Sequence, residues 1–134
     1  MQPKILLVDD REDNLLSIET ILEPSGYQFV KANSGRQALK ILLTEFDFAM
    51  ILMDVKMPKH DGLFLMREIK KNWPDIPIIV MSGYPTPETV VDVVKLGATH
   101  FIPKPFRPDE LVKSIRMVLQ KMVKKESFPT GAGG

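Results

Sequence analysis

Apolar and polar positions follow two rhythms along this chain. Short apolar runs, which read as buried strands, recur near residues 4–8, 28–32, 49–54, 76–81 and 99–103. Between and after them, apolar residues fall three and four apart, as on one face of a helix. Leu15, Ile18, Ile21 and Leu22 mark a helix over 11–23, closed by Pro24 and Gly26. Ser34 is placed to cap a second over 34–45, with Ala38, Leu39, Ile41 and Leu42 inward. Leu63, Leu65, Met66 and Ile69 mark a third over 62–72, stopped by Trp73-Pro74. Thr86 caps a fourth with Pro87 in its first position; Val90, Val91, Val93 and Val94 make it β-branched, and so the helix most prone to shift or fray. Leu111, Ile115, Val118, Leu119 and Met122 mark the last, over 109–125.

Strict alternation of strand and helix argues an α/β fold: a parallel sheet with helices on both faces. Right-handed crossovers leave few arrangements, and with five strands the flavodoxin-like order 2-1-3-4-5 leads. Its switch point lies between strands 1 and 3. Residues 1–126 form the expected domain, and 127–134, with Pro129 and three glycines, a flexible tail or linker.

Composition narrows the chemistry. The chain has 134 residues, 44% of them hydrophobic and 26% charged, and a formal net charge of +1. That balance gives no basic excess for direct nucleic-acid binding. Without cysteine there is no thiolate metal site or thiol nucleophile. No apolar stretch approaches the length of a membrane span, and the expectation is a cytoplasmic domain.

What remains are polar residues at strand ends. The central run ends in Asp54, the first in Asp9-Asp10, the fourth at Ser82, and the fifth is followed by Lys104. In an open parallel sheet those ends form the ligand-binding edge. Three carboxylates gathered there repel one another unless a cation compensates. Oxygen ligands without His or Cys select a hard ion, and Mg²⁺ is the natural occupant. Lys104 offers a point charge and Ser82 a hydroxyl donor to phosphoryl oxygens, while an Asp can itself be the nucleophile that forms an aspartyl-phosphate.

The chain resembles the response-regulator receiver domains of two-component signalling from Lys4 to about Lys121. The resemblance is carried by Leu7-Val-Asp9-Asp10, Met53-Asp54-Val-Lys56-Met-Pro-Lys-His60-Asp-Gly62, Val80-Met-Ser82-Gly83 and Lys104-Pro105-Phe106. It implies a CheY-like phosphoacceptor switch rather than an enzyme, with at most autophosphorylation from small donors and autodephosphorylation. Asp54 would take a phosphoryl group from the phosphohistidine of a sensor histidine kinase or phosphotransfer protein. Asp9, Asp10, Asp54 and the backbone carbonyl of Lys56 would hold Mg²⁺. Ser82 and Phe101 would be the switch pair, Lys104 would bind the phosphoryl group, and the Lys104-Pro105 bond would be cis. Lys56 and Tyr84 occupy positions that tune phosphoryl lifetime; both are bulky and are expected to lengthen it. The resemblance also implies a downstream output domain or protein, and dimerisation through the fourth helix, fifth strand and last helix.

Three other readings compete. A haloacid-dehalogenase-type phosphatase needs a second Asp two residues after the nucleophile, where Lys56 stands. Flavin or nucleotide binding calls for a phosphate loop after the first strand, where Asp9-Asp10-Arg-Glu-Asp13 places acids. An unphosphorylated interaction module would not require the full set. Whether the chain is a stand-alone regulator or a piece of a larger one stays open. Phe29, Phe46, Phe48 and Phe64 are expected in or at the edge of the core, and His60 and His100 as ordinary surface residues.

Overall fold

A computed structural model of the chain describes residues 2–45, 47–55, 60–83 and 86–133, without the side chains of His60, Asp61 and 122–133. Phe46, Lys56 and Tyr84 lie outside the described residues. Five strands form one parallel sheet in the order β2-β1-β3-β4-β5, as the alternating pattern predicts. They are β1 (Lys4–Val8), β2 (Gln28–Ala32), β3 (Phe48–Asp54), β4 (Ile78–Ser82) and β5 (His100–Pro103). The helices are α1 (Glu12–Leu22), α2 (Gly35–Thr44), α3 (His60–Asn72), α4 (Pro87–Lys95) and α5 (Pro108–Gly133), and a 3-10 turn (Glu23–Ser25) follows α1.

The central strands are buried on both faces, which is why they read as unbroken apolar runs. Alternate residues then feed two separate cores. Leu6, Ile51, Met53, Ile78 and Val80 pack beneath α2 and α3 with Ala38, Leu42, Leu65 and Ile69. Ile5, Leu7, Met50, Leu52 and Ile79 pack beneath α1 and α5 with Leu15, Ile18, Leu111 and Ile115.

Local chemistry sets the helix starts. The Ser34 hydroxyl accepts from the Gln37 N–H at 3.1 Å while Gln37 Oε1 accepts from the Asn33 N–H at 2.6 Å, so two orphan donors before and inside α2 are satisfied. Thr86 caps α4 the same way, accepting from the Thr89 N–H at 3.1 Å.

Three differences from the sequence pattern stand out. First, α5 runs to Gly133, past the end expected near residue 125. Propagating a nucleated, packed helix is far less costly than starting one, and the helix continues through Pro129 although that residue has no N–H to donate. Second, Phe64 is 54% exposed rather than in the core. The periodicity of α3 turns Leu65, Met66 and Ile69 inward, and Phe64 falls on the opposite side. Third, α4 buries Thr89 and Val93 and leaves Val91 and Val94 in solvent, so of its four valines only Val93 lies in the core.

Candidate functional site

The site is assembled by strand register. Asp54 pairs with Met81 across β3 and β4, and Ser82 pairs with Pro103 across β4 and β5. Val8 pairs with Met53, which sets the Asp9 end of β1 beside the Asp54 end of β3. Three of the strand ends singled out by sequence, with Lys104 just beyond the fourth, therefore meet at one edge of the sheet.

Asp54 is the centre. Its side chain is 2% exposed, and Lys104 Nζ lies 3.0 Å from its Oδ1. Its other oxygen, Oδ2, is buried with no hydrogen-bond partner among the described residues. A buried carboxylate oxygen without a partner is costly, and native sites that keep one usually use it. Asp9 is also buried, at 2%, and its Oδ1 accepts from the Arg11 N–H at 2.9 Å. Asp10 is exposed at the rim.

Ser82 is 2% exposed. Its carbonyl accepts from the Lys104 N–H at 2.7 Å, so the hydroxyl-bearing residue and the lysine are tied through the backbone. The Lys104-Pro105 peptide bond is cis. Phe101, half-buried, pairs with Val80 and packs against the core beneath α3 and α4. His100 is half-buried rather than a plain surface residue, its Nε2 lying 3.3 Å from Ser114 Oγ of α5.

Gly62 explains how α3 approaches the site so closely. A Cβ there would meet a methyl of Val55, the residue after Asp54, at 3.0 Å. This steric role of Gly62 against Val55 was not legible in the sequence. Nor was the Arg11 N–H bond that orients Asp9, because a backbone donor leaves no mark on the residue type.

The donor set fits Mg²⁺. Two buried carboxylate side chains end neighbouring strands, Lys104 pairs with one oxygen of Asp54 and the other has no partner among the described residues, and Mg²⁺ needs only one or two protein carboxylates because it keeps several waters. Among the described residues no three acids or histidines converge into a complete metal cage. Asp10 stays at the rim, and the Lys56 carbonyl expected to complete the set lies outside the described residues.

The site is thus a buried acid, a lysine and a hydroxyl-bearing residue gathered at the C-terminal edge of a five-stranded doubly wound sheet. The comparisons make this specific: residues 5–116 match the model of the response regulator receiver domain, and the chain belongs to that family. It is similar to the transcriptional regulatory protein ZraR of Escherichia coli K12, 37% identical over 115 residues, which are 86% of this chain and 26% of that protein. It is 31% identical over 125 residues to the response regulator SaeR of Staphylococcus aureus, covering 93% of this chain and 54% of SaeR. The chain thus spans between about a quarter and half of these relatives' length. Among solved structures, a CheY-like receiver domain protein from Methanospirillum hungatei JF-1 superposes with a TM-score of 0.86 at 32% identity, covering 93% of this chain and 99% of that one. Such receivers serve response regulators of two-component systems, and receivers generally bind Mg²⁺ in their acidic pocket. No helix among the described residues is long and apolar enough to cross a membrane.

Proposed function

We propose that this chain is a phosphoacceptor switch in a two-component phosphorelay, with Asp54 as the acceptor. The observation that carries the reading is the state of the Asp54 carboxylate: its side chain buried, one oxygen held by Lys104, the other without a hydrogen-bond partner among the described residues. One carboxylate oxygen forms the new P–O bond as the P–N bond of a kinase or phosphotransfer phosphohistidine breaks, the electron pair leaving with the imidazole nitrogen. Mg²⁺, held by Asp9, Asp54, the rim Asp10 and the Lys56 carbonyl, would neutralise charge on the phosphoryl oxygens. Lys104 is positioned to turn from Asp54 Oδ1 toward a second phosphoryl oxygen, and Ser82 supplies a hydroxyl to a third. Positioning and charge neutralisation suffice for such a transfer, so no turnover beyond self-phosphorylation and self-dephosphorylation is assigned.

The output follows from what is tied to Ser82. An inward move of its hydroxyl pulls the loop leading to Thr86 and α4, and Phe101 on β5 fills the space released, biasing the α4-β5-α5 surface toward a partner or output domain. A dimer through that surface and a cytoplasmic location belong to the same reading, and so does a receiver unit ending near residue 126. Lys56 and Tyr84 are both bulky and stand at positions this reading assigns to tuning phosphoryl lifetime, so small residues at both should shorten it, measured as decay of the phosphorylated mass.

Intact-mass spectrometry after incubation with Mg²⁺ and acetyl phosphate tests the core of the reading. The expected result is one added phosphoryl group, lost in Asp54→Ala and lost when Mg²⁺ is chelated. A folded wild-type protein that gains no phosphoryl group sinks it and favours the unphosphorylated interaction module.

A further inference from the structure

We propose that Lys70 is a site of N-acylation, its ε-amine taking the acyl group of a small acyl phosphate. The surroundings of the lysines single it out. Lys4, Lys70 and Lys104 are the half-buried ones among the described residues. Lys4 has Glu45 at 2.9 Å and Lys104 has Asp54 at 3.0 Å, so each of these cations faces a carboxylate. Among the described residues Lys70 has no such partner. Its Nζ donates to the backbone carbonyl of Ile76 at 3.2 Å, a neutral acceptor.

The fold creates this position where α3 ends. Ile69 turns fully into the core, and Lys70, one residue on, lies at the border of the helix. Its stem rests on the turn that closes α4: a Cβ on Gly97 would meet Lys70 Cε at 3.1 Å and Cγ at 3.3 Å. An ammonium drawn from water without a counter-ion is costly, and the neutral amine gains by comparison. Burial accordingly pushes Lys70 below the usual lysine range; Asp75, the charged group acting on it, opposes the shift without cancelling it. Arg67 and Lys71 of α3 stand in solvent, and the turn over 96–99 carries no charged residue.

Desolvation of this kind is one way in which a lysine becomes a nucleophile. The Ile76 carbonyl engages one N–H of the neutral amine and leaves its lone pair free. That lone pair forms a C–N bond to the acyl carbon while the C–O bond to the phosphate breaks. Inorganic phosphate leaves with the electron pair, and the amine's proton passes to water. The amide that results keeps one N–H for Ile76 and carries no charge to desolvate, so the half-buried position suits the product better than the ammonium. Phosphoryl transfer from the same donor to Asp54 would break the P–O bond instead and release the carboxylate. The two adducts differ in mass and in site.

Incubation of the full chain with limiting acetyl phosphate, followed by peptide mass spectrometry, tests this, with the exposed Lys40, Lys71 and Lys95 as internal references. Near neutral pH, Lys70 should be acetylated several-fold faster than each reference. The lead should shrink as pH rises, because every lysine loses its proton at high pH. Asp75→Asn removes the carboxylate that favours the ammonium and should raise the Lys70 rate further while leaving the references unchanged. Asp54→Ala should lose the phosphoryl adduct and keep acetylation at Lys70, which separates a failure of the acceptor reading from a failure of this one. The proposal is overturned if Lys70, in protein shown by circular dichroism to be folded, is acetylated no faster than the references. A lead that ignores pH, an Asp75→Asn rate that does not rise, or loss of the Lys70 adduct in Asp54→Ala overturns it equally.

Discussion

Lys104 and Asp54 are unequal partners, with side chains 25% and 2% exposed. Removing the lysine strands a buried carboxylate, whereas removing the carboxylate leaves an ammonium that can reach water. Lys104→Met should therefore cost about 1–3 kcal/mol in urea unfolding without metal, and Mg²⁺ should recover much of it. Asp54→Asn should be neutral or stabilising. Equal losses from the two substitutions would show that the pair acts as an ordinary structural salt bridge. The polar residues of this site were legible because each stands at or just beyond the end of an apolar run, where a charge or hydroxyl has no core role. That Lys104 rests on Asp54 was not legible, since it depends on the registers of β3, β4 and β5 together.

At the scale of the elements, α4 joins a firm start to a small buried face. It starts on a firm cap, the Thr86 and Thr89 hydroxyls lying 2.9 Å apart beneath the first turn, but buries only Thr89 and Val93. Thr86→Ala should cost about 1 kcal/mol through the lost cap, and faster amide exchange confined to α4 would report it. The far end of α4 is fixed by Gly97, at φ +102, where a Cβ would also meet Lys70 Cε at 3.1 Å. Burial pushes the Lys70 ammonium below the usual lysine range although Asp75 opposes the shift, and its Nζ donates to the Ile76 carbonyl at 3.2 Å. Gly97→Ala should cost about 1–3 kcal/mol from backbone strain, more than the same change at Gly83, where a Cβ meets nothing within 4 Å. The cap residues Thr86 and Pro87 marked the start of α4 correctly. Periodicity could not say which valines face inward, because a run of four valines in five positions presents apolar surface on nearly every side, and packing against α3 and the sheet makes the choice. Phe64 misleads for the related reason that an aromatic side chain carries no record of the face it occupies.

At the scale of the whole molecule, the fold concentrates its instability where its chemistry lies. The two cores are closed by fully buried Ile, Leu, Met and Val side chains, while the C-terminal edge buries the Asp9 and Asp54 side chains and leaves one Asp54 oxygen without a partner among the described residues. Proteins commonly give up stability at functional sites, and a ligand that binds only the folded state returns it. Mg²⁺ should therefore raise the thermal midpoint in a concentration-dependent way, by a stabilisation of about 2.7 kcal/mol at one hundred times its dissociation constant. Asp54→Asn should start from an equal or higher midpoint without metal and show little response to Mg²⁺; Asp9→Asn should also lose the response. Ca²⁺, which prefers six to eight oxygen ligands, should stabilise less at equal concentration, because two buried carboxylates cannot supply such a shell. A midpoint that Mg²⁺ leaves unchanged in wild type would mean that Lys104 alone compensates the site, and the unsatisfied Asp54 oxygen would then need an explanation other than metal.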